Sequence, residues 1–282
     1  KYYDLGYSII TKIISLKFNF YVHNLIFAIL FVVPLFIFSS KIKRTYLSLV
    51  IAYPYYIVVI GMGPIRQSVG ISFLFLSLLF INNGKYWIFY FLTIISSLIH
   101  QSSIILNGII FLNIIPSIKK EKKIYKYLFI SVVSIILIYN YEFFTNKLYS
   151  YTFYYLKIIK PASSALIIWL INFFTSIIYL KYKDRFKNSE KIKKIITSIC
   201  ISEIFLLPLL FYNSVIGYRL LLFYFPKSIY ISTLIPDLKI INLNKNLLVY
   251  SIILISNGSL FFWLNFASHS YCWLPYRNII FN

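Results

Sequence analysis

Long apolar runs alternate with short polar interruptions along the whole chain, and this spacing predicts an all-α protein of membrane-spanning helices. An α-helix needs about 20 apolar residues to cross the hydrocarbon of a bilayer, and in lipid its backbone polar groups must be satisfied within the segment itself. Runs over 22–40, 45–62, 66–82, 86–100, 102–116, 127–141, 164–180, 195–213, 218–235 and 247–266 give about ten spans. They predict a polytopic transmembrane helical bundle and a single integral membrane domain over 1–282. The interruptions are the polar turn Asn82-Asn83-Gly84-Lys85, a tyrosine-rich outer loop over 142–163, a basic cytoplasmic loop over 181–194 and a Pro236-Asp237 turn. Residues 1–20 are too polar to span; Ile9, Ile10, Ile13, Ile14 and Leu16 at helical spacing predict a short helix in an outer interfacial segment. Pro54, Gly61 and Gly63 loosen the second run just ahead of Arg66. The chain opens on Lys with no cleavable signal sequence, so the expectation is that one N-terminal span is missing.

Composition agrees with the pattern: 60% of the 282 residues are hydrophobic and only 12% are charged, against about 25% charged in soluble domains. A net charge of +21 would ordinarily suggest nucleic acid. The lysines instead cluster between apolar runs, in Lys41-Ile42-Lys43-Arg44, Lys119 to Lys126 and Lys181 to Lys194, as cytoplasmic loops do, and no nucleic-acid partner is expected. That face carries twice as many Lys and Arg as the other, so both chain ends point outward. Cys200 and Cys272 form neither a metal spacing nor a disulfide framework. The wealth of Ile, Phe, Tyr, Asn and Lys reads as AT-rich coding bias, so single aromatics carry little weight.

Candidate chemistry gathers on the outer face. If 66–82 and 86–100 form an antiparallel pair, Arg66 and Gln67 at the start of one lie level with His100 at the end of the other. The arginines of that face sit at or beside the ends of spans or in the tail: Arg66, Arg219 in Gly217-Tyr218-Arg219, and Arg277. Arg grips phosphate through a planar fork that Lys lacks, so the arrangement suits a pyrophosphate. An Arg at a helix end also snorkels to headgroups, and for Arg66 both readings stand.

Only seven carboxylates exist. Glu121, Asp184, Glu190 and Asp237 fall in cytoplasmic loops, Asp4 and Glu142 outside, and Glu203 within the eighth span, where pairing with Lys227 is the structural expectation. A glycosidase needs two carboxylates flanking one bond, and a metal-dependent transferase needs a carboxylate cluster. Neither pattern is present, so no metal site and no cofactor are expected. Departure of a lipid pyrophosphate remains, a reaction that mainly asks for fixed positive charge. Arg66, Arg219 and Arg277 supply it, with His100 or Asp4 as candidate base for a hydroxyl nucleophile. The alternatives are a polar helix-end residue for His100 and a solvated loop residue for Asp4. His23 and His269 read as interface residues, and Tyr149, Tyr151, Tyr154 and Tyr155 as an aromatic belt rather than a sugar platform.

At these residues the chain resembles the EpsG/Wzy-type polysaccharide polymerases of bacteria. The resemblance is carried by GMGPIRQSVG with Arg66-Gln67, IISSLIHQSSII with His100 and Ser102, Asp4-Leu-Gly-Tyr7, Tyr218-Arg219 with the aromatic run after it, and Trp273-Leu-Pro275-Tyr276-Arg277. The family pattern often has Ala where Gly70 stands, and its members begin with a further span and an acidic, tyrosine-bearing outer loop. The resemblance implies a metal-independent membrane glycosyltransferase that polymerises oligosaccharide repeat units carried on undecaprenyl pyrophosphate. It would act at the outer face of the bacterial inner membrane, making O-antigen, capsule or exopolysaccharide, with the bilayer and a chain-length regulator as partners. Arg66, His100, Arg219 and Asp4 would be catalytic, and Gln67, Ser102, Tyr218, Tyr276 and Arg277 would meet the substrate. Two rivals are weighed. A flippase or exporter of lipid-linked saccharides predicts paired charges deep in the bundle and two similar halves, and no internal repeat is visible. A membrane acyltransferase using His100 as base predicts a carboxylate beside it, and none adjoins it in the sequence.

Overall fold

Asn19 opens the first long helix: its side-chain oxygen accepts the Val22 N–H at 3.1 Å, and the apolar run behind it continues as α2 (Phe20–Lys41). The computed structural model describes residues 4–61, 63–82, 85–103, 145, 163–186, 188–212, 214–238 and 244–266. Ahead of α2 lies α1 (Leu5–Ser15); after it come α3 (Thr45–Ala52), a π-helical stretch at Tyr53–Gly61, and the hairpin of α4 (Ile65–Asn82) and α5 (Tyr86–Ile99). The chain then runs through α6 (Ser163–Tyr182), α7 (Glu190–Ile204), α8 (Leu207–Tyr212), α9 (Ser214–Leu221), α10 (Phe225–Leu234) and α11 (Lys245–Phe266). There is no strand among the described residues.

By length and composition four described helices can cross a membrane: Phe20–Lys41, Ala165–Arg185, Ile192–Tyr212 and Lys245–Phe266. The runs at Thr45–Gly61, Ile65–Phe80 and Ile88–Ile99 are shorter apolar helices, so the protein is a helical membrane protein but ten spans are not established. The predicted fifth and sixth spans and the outer loop lie outside the described residues, apart from 102, 103, 145 and 163. The segment Ile192–Tyr212 and the predicted ninth span also carry an interruption each. A proline has no N–H for the carbonyl four residues back and clashes with it. Pro208 therefore accompanies the break between α7 and α8, and Pro226 the 3₁₀ turn Leu222–Tyr224 between α9 and α10. The basic stretch at 181–194 is narrower than a loop: α6 reaches Tyr182, a 3₁₀ turn follows at Lys183–Arg185, and α7 opens at Glu190.

The core is aromatic. Phe31 and Phe75 flank Tyr56, with ring centroids 4.7 and 4.8 Å apart, and the Tyr56 hydroxyl lies 2.5 Å from Ser72 Oγ. Small hydroxyl residues let such helices approach and supply hydrogen bonds across the seam. At the other end, Asp237 receives both guanidinium prongs of Arg44 (2.6 and 3.1 Å) and the Lys43 ammonium (2.8 Å), with Lys245 at 3.6 Å. Arg44 also donates to the Thr233 carbonyl. Partial burial raises the Asp237 carboxyl, but Arg44 and Lys43 more than offset it and bring it down to about 2. This clamp ties the α2–α3 turn to the end of α10 and the start of α11.

Candidate functional site

The hairpin of α4 and α5 sets the site. Near its open end Ser96 Oγ donates to the Gly70 carbonyl at 2.8 Å, and a Cβ at residue 70 would stand 3.2 Å from His100 Cβ. Glycine thus lets the helices close until His100, just past α5, lies against Gly70 of α4, four residues beyond Arg66. The third group comes from far away in sequence. Helix α1 packs on α5 and α2, and a Cβ at Gly6 would meet the Leu98 backbone at 3.0 Å, so the close approach needs glycine there too.

That docking carries Asp4, the residue before α1, to the hairpin. Its Oδ2 lies 3.3 Å from Arg66 Nη1 and 3.4 Å from His100 Nδ1, while Oδ1 accepts the Gln101 N–H at 3.3 Å. At 3.4 Å the His100 contact is electrostatic rather than a formed hydrogen bond. The Arg66 guanidinium lies over the Tyr7 ring, 5.4 Å from its centroid, a cation–π contact. His100 faces the Phe223 ring at 5.6 Å.

Burial raises the Asp4 carboxyl, but His100, the Gln101 N–H and Arg66 more than offset it, so it is held below the ordinary carboxylate value. Asp4 is therefore an anion at neutral pH. It is 2% exposed, and the reading of a solvated loop residue is corrected: its oxygens are turned into the protein. The objection that no carboxylate adjoins His100 is corrected by Asp4 Oδ2, which the fold brings to 3.4 Å from His100 Nδ1. Arg66 is more than a snorkelling residue, since one prong holds Asp4, yet its side chain is 45% exposed and keeps donors toward the outside.

Arg219 lies in the last turn of α9, not before a span as the pattern predicted, and it is exposed. Its segment is tied to the residue after Arg66: Gln67 Nε2 donates to the Arg219 carbonyl at 2.7 Å. Because Pro226 has no N–H for the Leu222 carbonyl, the ladder tightens to a 3₁₀ turn in which the Phe225 N–H turns to the Leu222 carbonyl. Asn172 Nδ2 of α6 donates to the Leu221 carbonyl, at the start of that turn, at 3.0 Å. Two buried side-chain amides from different helices thus clamp the broken helix that bears Arg219.

Gln67, expected at the substrate, spends its amide on this clamp. Asn172 was missed in the sequence; its signal was an amide among apolar residues, with Ser176 one helical turn further on. Asn172 Oδ1 also accepts from Ser228 Oγ at 2.7 Å. Asn172→Ala leaves the buried Ser228 hydroxyl without its acceptor and the Leu221 carbonyl without its side-chain donor, and should cost about 1–3 kcal/mol. The check is the unfolding midpoint of the purified protein in detergent, where Ser228→Ala should produce the smaller drop.

The other expected site residues are less central. Ser102 is half-buried in the turn after α5, and Tyr218 is half-buried and packed on the core beside Arg219. Tyr276, Arg277, His269 and Cys272 lie outside the described residues. His23 sits 3.3 Å from Thr11 Oγ1 and 4.7 Å from the Phe27 ring, joining α1 to α2. Among the described residues no group of three or more His, Cys, Asp or Glu gathers to hold a metal ion. In comparison with known protein families, the family model described as the EpsG family matches residues 1–278. No curated protein and no solved structure matches the chain.

Proposed function

The chain belongs to the EpsG family, and on that premise we propose that it joins oligosaccharide repeat units carried on undecaprenyl pyrophosphate, at the outer face of the bacterial inner membrane. The observation that carries the reading is a single buried carboxylate, Asp4, shared by Arg66 and His100 beside the clamped segment of Arg219. A hydroxyl of the incoming lipid-linked unit attacks the anomeric carbon of the growing glycan. The new C–O bond forms as the bond to the lipid diphosphate breaks, and the diphosphate leaves with the electron pair.

Arg66 and Arg219 meet the negative charge that builds on the departing oxygens. The hydroxyl proton passes to His100 Nε2, because Asp4 at Nδ1 favours the tautomer that leaves Nε2 as acceptor. Asp4 is too buried to touch substrate, so its part is to orient His100 and Arg66. This route asks for no divalent ion, since the leaving group departs as an anion met by guanidinium.

One observation favours the exporter of lipid-linked saccharides. Glu203 and Lys227 form the ion pair deep in the bundle which that reading predicts, at 2.5 Å. A His–carboxylate pair is also what an acyltransferase would place, and the family match is what favours glycosyl transfer. The decisive assay supplies purified lipid-linked repeat units to membranes holding the protein. Polymer ladders are expected, undiminished by chelator, and a knockout strain should display surface glycan one repeat unit long. Ladders that vanish with chelator and return with Mg²⁺ or Mn²⁺ would refute the metal-free route, and full-length glycan in the knockout would refute the function.

A further inference from the structure

Helix α1 divides into three faces. At about 100° per residue, Leu5, Ile9, Ile13 and Leu16 occupy one arc, and all four are exposed. Gly6, Tyr7, Ile10 and Ile14 occupy the next arc and turn toward the protein: Ile14 is buried, Tyr7 and Ile10 pack on the core, and Gly6 abuts Leu98. Ser8, Thr11, Lys12 and Ser15 complete the circle as the polar arc. A helix standing in water would gain nothing from the first arc, and a helix within the core would not carry the third. One apolar, one polar and one protein-facing arc is the division of a helix lying flat in a membrane interface at the edge of a bundle.

The exposed apolar arc does not stop at α1. Phe18, Phe20 and Tyr21 carry it through the short connection onto α2, whose Leu25, Ile29, Val33 and Phe36 are exposed along a helix long enough to span. Lys12 and Lys17 flank the band, placed to reach phosphate groups with their stems on apolar surface.

We propose that outer-leaflet phospholipid is the occupant of this face, and that the lipid seat of α1 is what holds Asp4 against Arg66 and His100. The protein-side grip on the start of α1 is confined to one side of the helix: Asp4 on two side chains and one N–H, Tyr7 under Arg66 and beside Phe27 and His23 at 5.0 and 6.3 Å, and the glycine contact at Leu98. The seat supplies the remaining hold, so the state of the membrane surface sets whether the cluster is assembled. The consequence for catalysis rests on the function proposed above; the seat and the assembly of the cluster do not.

The test uses nitroxide labels on the full chain in vesicles of phosphatidylethanolamine and phosphatidylglycerol, with Cys200→Ala and Cys272→Ser removing the native thiols. Labels at Ile9→Cys and Ile13→Cys should collide with oxygen and be sheltered from a water-soluble nickel chelate, and labels at Lys12→Cys and Ser15→Cys the reverse. Nickel collisions at 9 and 13 would place the face in water, and shelter from both reagents would place it under protein; either result overturns the seat.

The link to the cluster is read by diethylpyrocarbonate modification of His100, followed by peptide mass. Ile9→Asp with Ile13→Asp should raise its rate severalfold. If that double variant fails to insert, the milder Ile9→Ser with Ile13→Ser, which weakens the same lipid-facing arc, should do the same. An unchanged rate in an inserted variant overturns the link. None of these readouts uses polymerisation, so they stand apart from the fate of the proposed activity.

Discussion

Replacing Arg66 with Lys should abolish chain extension although the charge is kept. Three things are asked of this guanidinium at once. One prong holds Asp4 at 3.3 Å, the group lies over the Tyr7 ring at 5.4 Å, and the proposed reaction asks its exposed remainder to meet the diphosphate. A lysine ammonium is a point charge that hydrogen-bonds without a fork and stacks poorly. It can pair with Asp4 or reach the substrate, but not both. Loss of a donor aimed at developing charge typically lowers turnover by about 10²–10³, enough to erase a polymer ladder.

Arg219→Lys should have a similar effect for the second half of the grip. Neither change should lower the amount of folded protein in the membrane, because both side chains are partly or fully exposed. The measurement is ladder formation from lipid-linked repeat units, normalised to protein in the membrane. Ladders of normal length in both variants would remove the electrostatic mechanism. Ladders lost only because the protein is lost would assign both arginines to stability.

The parts of the fold that were legible share one property: their physics is local. The span at Phe20–Lys41, the hairpin of α4 and α5, and the last helix each consist of an apolar run with a polar stop, and periodicity finds them. The breaks at Pro208 and Pro226 were read through, because a membrane interior tolerates proline when neighbouring side chains satisfy the freed carbonyls, and those neighbours are not local. Asn172 and Gln67 show how far such support reaches, donating to the Leu221 and Arg219 carbonyls beside the second break across 49 and 152 positions.

The site divides in the same way. Arg66 and His100 could be placed level with each other because two antiparallel helices joined by a short turn allow little else. Asp4 was visible as a candidate but not as their shared partner, since no spacing connects residue 4 with residue 100. The motif Asp4-Leu-Gly-Tyr7 makes sense only once docked, with Asp4 on the cluster, Gly6 on Leu98 and Tyr7 under Arg66. Glu203 and Lys227 were legible as a pair for a different reason: ions inside a membrane are too costly to stand alone.

That pair yields the second large effect, and it also separates the two functional readings. Lys227 is 3% exposed and Glu203 fully buried. All three ammonium protons are used: on Glu203 Oε2 at 2.5 Å, on Ser176 Oγ at 2.5 Å and on the Asn172 carbonyl at 3.2 Å. Ser176 in turn donates to Glu203 Oε2 at 2.7 Å, while Oε1 has no hydrogen-bond partner. Lys227→Met strips the carboxylate of its counter-ion in an apolar setting, and breaking a buried pair this way costs about 3–5 kcal/mol.

Replacing both partners by groups of similar volume is often neutral. Lys227→Met should therefore sharply lower the unfolding midpoint and the yield from membranes, and adding Glu203→Gln should restore most of both. If the pair only fastens α6, α7 and α10 together, the restored double variant will extend chains as the parent does. A double variant that folds, inserts and yet makes no polymer would carry the deep pair into the function itself, where the exporter of lipid-linked saccharides expects it.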